Sequence, residues 1–209
     1  MSDTTLAEVR RGRKFDQVVE GALRIFLRDG FEGASVDDIA REAGVSKATL
    51  YAYFPDKQVL FSQVCLAECQ RQTSKDNDSM DFGAPAPEIL TVIGHRIIAF
   101  IMSDFGRGMF RLIVSEVSRF PDLAREFYRN GSETMRATLI GYLRRMANDG
   151  KLQIEDYDLA AEQFVQLCKA TLHDRLILSM ADDIRPEQVS RAVDGAVVTF
   201  MARYGKAGA

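Results

Sequence analysis

The chain has 209 residues, 46% of them hydrophobic, and a formal net charge of −3 with a pI near 5.5. This composition is ordinary for a globular protein, and its mild acidity argues against a protein whose whole surface binds nucleic acid. The N-terminal stretch MSDTTLAEVRRGRKF lacks the apolar run of a signal peptide, and no segment approaches the roughly 18 uncharged apolar residues of a membrane span. We therefore expect a cytoplasmic chain with no membrane partner.

The cysteines argue against two kinds of site. Cys65, Cys69 and Cys168 include no C-x-x-C pair, which fits neither a secreted disulfide framework nor a four-ligand zinc site. We expect reduced thiols, no metal and no cofactor. Cys65 and Cys69 stand four residues apart and share one face of a helix. A chain that responds to oxidation of these two thiols would be a redox sensor. Buried cysteine acting as a small apolar residue is the simpler alternative.

The hydrophobic pattern is helical along almost the whole chain. Apolar residues recur at three- and four-residue steps, and no period-two run is bounded by hairpin turns. The pattern predicts an all-α protein with about nine helices. The first helix carries Phe15 and Phe26 on its buried face and ends at Asp29-Gly30, where glycine suits the left-handed position after a helix.

Two short helices follow the first one. Ser35 and Ser46 each stand at a natural N-cap position, and Gly44 ends the helix that begins after Ser35. Pro55 stops the other helix after about two turns, because proline disfavours helical geometry in the residue before it. Two short helices joined by the segment Ala43-Gly44-Val45-Ser46 have the form of a helix-turn-helix.

The second short helix, within GVSKATLYAYF (residues 44–54), has an unusual free face. Leu50 and Phe54 point inward at helical spacing, so Ala48 and Ala52 lie on the opposite face with Thr49 beside them. Small side chains let a helix approach another surface closely, and in a major groove alanine or threonine methyl groups meet the thymine methyl. The pattern favours insertion of this helix into DNA.

Polar side chains around this helix are placed to contact phosphates. Lys47, Tyr51 and Tyr53 flank the free face. Ser35 and Lys57 each stand at the start of a helix, where free amides and the helix dipole favour a phosphate. The alternative is that Ser35 and Ser46 are only caps and that Lys57 is an ordinary surface lysine.

A basic arm precedes the first helix. Arg10, Arg11, Arg13 and Lys14 put four cations in five positions, although residues 1–60 together hold nine Lys/Arg against ten Asp/Glu. The positive charge is therefore positioned rather than abundant. We expect the three arginines to add phosphate or minor-groove contacts.

The spacing of these features continues through a longer motif. Phe26 to Phe61 read F-x-x-x-G-F-x-x-x-S-V-x-x-I-A-x-x-A-G-V-S-x-x-T-L-Y-x-Y-F-x-x-K-x-x-L-F. With this motif, the segment from Arg13 to about Leu66 resembles the N-terminal domain of the TetR family of bacterial transcriptional regulators. The resemblance implies a three-helix DNA-binding domain, a fourth helix leading to a larger helical domain, and a homodimer that reads a palindromic double-stranded DNA operator.

The resemblance also implies which residues contact DNA. By position they are Ser35, Ser46, Lys47, Ala48, Thr49, Tyr51, Tyr53 and Lys57. Ala52 departs from the pattern, because some members carry a larger aromatic or polar residue there. This departure leaves Thr49 as the main polar side chain for base readout, with DNA shape or thymine methyl contacts supplying the rest.

The chain is expected to divide at a polar, Pro- and Gly-containing stretch. The predicted segments are residues 1–56 (arm and helix-turn-helix domain), 57–74 (connecting helix), 75–87 (loop) and 88–209 (ligand-binding and dimerisation domain). Helices beyond the loop are predicted at roughly residues 87–104, 108–119, 122–148, 157–180 and 186–204.

The C-terminal domain extends the resemblance. FRLIVSEVSRFPDLAREFY (residues 110–128) is similar to a subgroup that includes AcrR-like and AefR-like repressors. The family implies a cavity for a small hydrophobic effector, which would shift the connecting helix and release the operator. For the apolar candidates, core packing is the alternative. The candidate lining residues are His95, Phe105, Met109, Phe127, Gln163 and Gln166, with Arg96 and His173 as further polar candidates.

The last two helices carry small and β-branched residues at spacings that favour close packing. In the TetR family this pair forms a four-helix interface with the same pair of the partner subunit, and the resemblance implies the same role here. Packing within the core of one subunit is the alternative. The predicted interface residues are Phe164, Cys168, Leu172, Val193, Val197 and Phe200.

An all-α enzyme is the alternative from another class. Asp104-Phe105-Gly106 spells the magnesium motif of kinases, but no glycine-rich strand loop, P-loop or G-x-S-x-G motif accompanies it. We therefore expect no catalytic residue. The sequence predicts a DNA-binding transcriptional regulator, a repressor in the simplest case, with a redox-responsive or ligand-independent regulator as the alternative.

Overall fold

The computed structural model describes residues 12–77, 80–170, 172, 174–175, 178 and 184–206, with the backbone alone at 69–70 and 72–77. Regular structure in these residues is helical, apart from one isolated antiparallel pairing of Leu152 with Gly205. The all-α prediction is confirmed. The described residues form two compact units, one made of the chain up to Glu68 with Leu112–Asn130, the other of Cys69–Arg111 with Gly131–Ala209.

The helices of the N-terminal part follow the predicted order. Helix α4 extends three residues beyond the predicted connecting helix. The compact units divide within α4, within α6 and after Asn130, and the predicted domain boundary at residues 75–87 stays a prediction. The bounds are α1 Arg13–Gly33, α2 Val36–Glu42, α3 Lys47–Tyr53, α4 Lys57–Asn77, α5 Ala86–Met102, α6 Asp104–Glu116 and α7 Pro121–Phe127.

Helices α1 and α2 meet through a glycine. A Cβ atom at Gly21 would lie 3.0 Å from both the Cβ and the backbone nitrogen of Ala43, so the close approach of the two backbones depends on the missing side chain. Helix α1 kinks at Gly30, and Phe31 then folds back so that its ring stacks on Phe26 with centroids 5.8 Å apart. Phe61 of α4 meets both rings edge-on, which joins α4 to α1.

The turn between α2 and α3 is built on Gly44. Its φ of 63° lies in the left-handed region that favours glycine, and the next amide, that of Val45, donates to the carbonyl of Ala40 at 3.0 Å. Leu50 of α3 and Phe54, which caps its C-terminus, are then buried, with 1% and 0% of their surface exposed. These features hold two short helices in a fixed arrangement.

A π-helical turn interrupts the helix expected at residues 122–148. Helix α7 passes into a π-helical segment at Tyr128–Glu133, in which Gly131 is buried, before α8 begins. Of the helix expected at 157–180, α9 accounts for the first part, and several of the remaining residues lie outside the described part of the chain. The later bounds are α8 Thr134–Asn148, α9 Tyr157–Lys169 and α10 Pro186–Tyr204.

Helices α5, α8, α9 and α10 share the core of the second unit. Phe164 of α9 meets Phe200 of α10 edge-on at 5.2 Å, and Phe200 packs on Tyr204 at 4.7 Å. The Tyr204 hydroxyl donates to the side-chain carbonyl of Gln163 at 2.6 Å. Within the described part of the chain, each helix by itself is too short or too polar to span a membrane. Helices α5 and α6 reach the necessary length and apolar character only when they are taken together, and the chain bends by 59° between them.

Candidate DNA-binding site

Two serines fix the starts of the short helices, as predicted. Ser35 Oγ accepts a hydrogen bond from the Asp38 amide at 3.0 Å and donates to the Asp38 carboxylate at 2.6 Å. Ser46 Oγ accepts from the Thr49 amide at 3.1 Å, and the Ser46 and Thr49 hydroxyls hydrogen-bond to each other at 2.8 Å. Since one hydroxyl of that pair donates and the other accepts, one O–H remains for an outside acceptor.

The free face of α3 lies where the helical spacing places it. Ala48 and Ala52 are exposed, opposite the buried Leu50, and Thr49 is half-buried at their side. Tyr51 is exposed on the other flank. The result is a short helix with a low outer face whose inner face is fixed in an apolar core.

Tyr53 has a packing role that the sequence did not reveal. Its ring is half-buried and meets Phe15 of α1 edge-on at 6.0 Å. Aromatic pairs of this kind contribute about 0.5–1.5 kcal/mol beyond the area they bury, so the ring ties α3 to α1. At the start of α1, Arg13 is exposed, whereas Arg10 and Arg11 lie outside the described residues.

Carboxylates of α2 lie beside several cations of this region. Lys47 pairs with Asp37, and Arg41 pairs with Asp38. The Ser35 hydroxyl, and after it the Arg41 guanidinium, lower the pKa of Asp38, so this carboxylate keeps its charge below the usual titration range. The positive potential beside α3 is therefore moderated by α2, in line with the balanced charge count of residues 1–60.

Lys57 is half-buried, and its ammonium group contacts the protein. Its Nζ lies 3.1 Å from the carbonyl oxygens of Glu32 and Ala34 and donates to both, and it sits 4.8 Å from the centroid of the Phe31 ring. Burial lowers the pKa of Lys57, and the nearby Glu116 carboxylate partly opposes this effect. Two of the three ammonium donors are thus engaged at the α1–α2 turn, a long-range contact that leaves no periodic signal in a sequence.

The predicted effector-binding residues lie on several helices, and the effector site stays a prediction. Gln163 and Gln166 line an open groove of about 450 Å³ between α9 and α10. Phe105 and Met109 are buried on α6. His95 and Phe127 are half-buried on α5 and at the end of α7, His173 lies outside the described residues, and Phe127 belongs to the other compact unit from the glutamines.

The predicted interface side chains on α9 and α10 lie in the core of the second unit. All six predicted side chains are buried within the subunit, where they pack in the core of the second unit. Their burial agrees with core packing, the alternative, and the dimer interface on these helices stays a prediction. The exposed large apolar residues on these helices are Leu159 and Val198, which are 47% and 70% exposed. The buried six are Phe164, Cys168, Leu172, Val193, Val197 and Phe200.

The cysteines whose side chains are described are both buried. Cys65 and Cys168 have no exposed surface, and burial raises the pKa of the Cys168 thiol to about 12. A thiol with a raised pKa forms little thiolate and reacts slowly. The side chain of Cys69 lies outside the described residues, so the predicted redox pair stays a prediction.

The fold and the site together define a helix-turn-helix DNA-binding protein. Residues 18–64 match the family model of bacterial regulatory proteins of the TetR family, and residues 88–206 match the C-terminal domain of AefR-like transcriptional repressors. The second match covers more than half of the chain. The chain belongs to the TetR family of transcriptional regulators, which are not enzymes.

Solved structures and curated relatives agree with this assignment. A structure from Mesorhizobium loti MAFF303099 assigned to the TetR family is 27% identical, with a TM-score of 0.84, and the match covers 95% of this chain and 100% of that one. The flavonoid-responsive regulator FrrA is 32% identical, with a TM-score of 0.78 and the same coverage. IcaR of Staphylococcus aureus (strain Newman), a negative regulator of the biofilm operon icaADBC, is 33% identical over 48 residues, 23% of this chain. That match spans 26% of IcaR, so the chain covers about a quarter of the length of such curated relatives.

Proposed function

We propose that this TetR-family regulator is a repressor that inserts α3 into the major groove of a palindromic operator. The observation that carries the proposal is the form of α3. Ala48 and Ala52 are exposed on a helix whose inner residues are fully buried and whose first turn is capped by Ser46. Such a helix presents a low, rigid face to base edges, and Thr49 adds a methyl group and a shared hydroxyl hydrogen bond.

The polar residues around α3 would hold it to the sugar-phosphate backbone. Lys47 and Tyr51 are exposed at its two flanks, and Ser35 is exposed at the start of α2. Backbone contacts of this kind fix the register of a helix in the groove without reading sequence. Arg13, with Arg10 and Arg11 before it, would add contacts from the arm.

A homodimer formed through the exposed faces of α9 and α10 would align two such helices. Leu159 and Val198 place apolar surface there, and Gln163 and Gln166 border the groove between the helices. Two half-sites about one helical turn or a little more apart are then expected. An IcaR-like repressor role is supported by the N-terminal match.

A small hydrophobic effector in the second unit would release the operator. FrrA responds to flavonoids, which are flat and largely apolar molecules, and it is 32% identical to this chain. A coupling free energy of about 1–3 kcal/mol between effector and DNA is enough for a 5- to 150-fold loss of affinity.

Gel-shift titration tests the proposal, using DNA that flanks the gene encoding this chain, with and without an added flavonoid. We expect a retarded complex with two chains per site, weakened by the effector. A complex whose affinity does not change with flavonoids would overturn this class of effector and leave the proposed repression standing. No retarded complex even at low salt would overturn the proposed function.

A further inference from the structure

We propose that Phe120 and Arg119, which lie in the turn between α6 and α7, are positioning residues for the DNA-binding helices. They hold the last turn of α1 in the arrangement from which α2 and α3 approach DNA, and they do not contact DNA themselves. The inference rests on the proposed function, because DNA affinity is its main readout. Both residues belong to the stretch that matches the AefR-like C-terminal domain, far along the chain from the helix-turn-helix.

The compact unit that contains the DNA-binding helices is discontinuous in sequence. It joins the chain up to Glu68 with Leu112–Asn130, which covers the end of α6, all of α7 and the start of the π-helical segment. Within this second stretch Leu112, Ile113 and Leu123 are buried. The stretch packs in the same unit as the DNA-binding helices, so its contacts can set their arrangement directly.

The ring of Phe120 completes an aromatic cluster on α1. It meets Phe31 edge-on with centroids 5.1 Å apart, and Phe31 in turn contacts Phe26 of α1 and Phe61 of α4. Phe31 is 5% exposed, and Phe120 is half-buried. The Phe120 amide donates to the carbonyl of Glu116 at 2.8 Å, so the turn after α6 fixes the backbone that carries the ring.

An ion pair beside the rings joins the same two segments. Two nitrogens of the Arg119 guanidinium donate to the Glu32 carboxylate, one to each oxygen. A two-point contact of this kind fixes the orientation of the two groups as well as their distance. Both side chains are more than half exposed, so the pair contributes less than the ring contact does. Phe120 and Arg119 therefore hold two consecutive residues of α1, Phe31 and Glu32.

The residues held in this way lie directly before α2. Helix α1 ends at Gly33, and the amide of Ala34 donates to the carbonyl of Gly30 at 3.2 Å. The next residue, Ser35, caps α2 through the Asp38 amide. A shift of the last turn of α1 would therefore move the start of α2, and α2 packs against α3.

A second contact joins α7 to α4. The Glu126 carboxylate accepts from the Ser62 hydroxyl of α4 at 3.3 Å, from Asn130 at 3.1 Å and from Arg129 at 3.0 Å. Ser62 is 8% exposed, and its hydroxyl also lies 3.1 Å from the carbonyl of Gln58, which shares the hydrogen. The stretch that carries Phe120 is thus held on α4 as well as on α1.

Two side chains supply matched controls. Phe82, in the second unit, is likewise a half-buried phenylalanine that contacts one other ring, that of Tyr142 at 5.5 Å, and lies beside a guanidinium. Arg125 of α7 pairs with Asp122 within the same helix. Loss of either contact leaves the end of α1 unchanged, so these variants separate positioning from a general loss of stability.

The experiment compares Phe120→Ala with Phe82→Ala, and Arg119→Met with Arg125→Met, in the full chain. Affinity for the operator fragment is measured by fluorescence anisotropy over a series of salt concentrations, at a temperature where each variant is folded. Amide hydrogen exchange of residues 34–38 is measured in parallel on the DNA-free proteins.

For Phe120→Ala we expect about a tenfold loss of affinity, because the ring contact and the area that it buries are both lost. The slope of log K against log salt should stay unchanged, since no phosphate contact is removed. Arg119→Met should lower affinity by about two- to fivefold, again with an unchanged slope. In both variants the amides of residues 34–38 should exchange faster than in the natural chain.

The other variants should behave differently. Phe120→Tyr keeps the ring and should restore both the affinity and the exchange rates. Phe82→Ala should lower the melting temperature, and Arg125→Met should change it little. Neither control should alter the DNA affinity of the folded chain.

Three results would overturn the inference: an unchanged affinity in Phe120→Ala, an equal loss in Phe82→Ala, or a salt slope flattened by Arg119→Met, which would make this arginine a phosphate contact. If Phe120→Ala does not fold, Phe120→Leu takes its place. The lost ring contact again predicts weaker binding, and an unchanged affinity would count against positioning. Failure of the natural protein to bind the fragment would instead count against the proposed function.

Discussion

The α2–α3 pair and the α9–α10 pair carry similar helical patterns but use them differently. In α3 Leu50 points into the core, as does Phe54 just after the helix, and the outward alanines form the free face. On α9 and α10, the family resemblance predicts that Phe164 and Phe200 contact a partner subunit. Both side chains are buried in the subunit's own core. Helical spacing therefore identifies a buried stripe, but it does not distinguish burial within one subunit from burial between two.

The largest expected effect tests the core role of α10. Phe200→Ala should lower the free energy of unfolding by about 3–5 kcal/mol, because it leaves a cavity beside Phe164 and Tyr204. The control Val114→Ala on α6 should change it by no more than about 0.5 kcal/mol, since this side chain is 55% exposed and lies outside the proposed dimer interface. Urea denaturation of both variants gives the comparison. Similar values for the two would mean that Phe200 is not a core residue.

The next effect concerns the free face of α3. Ala52→Glu adds a negative charge to a face expected to meet DNA, and we expect about a hundredfold loss of operator affinity. The melting temperature should stay within a few degrees, because the side chain is exposed. Anisotropy titration and thermal denaturation measure the two quantities. An unchanged affinity would show that this face does not approach DNA.

A smaller effect is expected at the exposed face of α10. Val198→Asp places a charge on the surface proposed to meet a second copy and should weaken dimerisation at least about tenfold. Sedimentation equilibrium at micromolar concentration measures the dissociation constant. A dimer as tight as that of the natural chain would show that the interface does not include this face of α10.

The smallest effect is expected from Asp37→Asn. The change removes a carboxylate beside α3 and frees Lys47 from its ion pair, so binding to any DNA sequence should tighten by about two- to fivefold at low salt. Competition with random-sequence DNA measures this effect. Weaker binding would indicate that Asp37 orients Lys47 rather than neutralising it.

Much of the DNA-binding unit could be predicted because its signals are local. Ser35 and Ser46 cap helices, Gly44 supplies a left-handed turn and Pro55 limits a helix, and each acts within a few residues. The outward face of α3 follows from the same short-range spacing. The contacts of Lys57 with Glu32 and Ala34 join residues more than 20 positions apart, and no local sequence pattern predicts them.

The second unit was harder to predict for the same physical reason. The π-helical turn at Tyr128–Glu133 replaces part of an expected continuous helix, although the spacing of apolar residues continues through it. The burial of Cys168 and Val193 depends on which helices pack around them, including α5. Such packing is a tertiary property, so the sequence pattern predicted helices here without predicting what covers them.

The central claim is that the exposed face of α3 reads the major groove. Replacing thymines of the operator fragment by deoxyuridine, one position at a time, removes the C5-methyl group that this groove displays and leaves the minor groove unchanged. We predict reduced affinity at thymines within two half-sites about one helical turn apart, with the effect lost in Ala48→Glu. Affinity that is indifferent to every methyl removal, and to methylation of guanine N7 in the same groove, would contradict the claim.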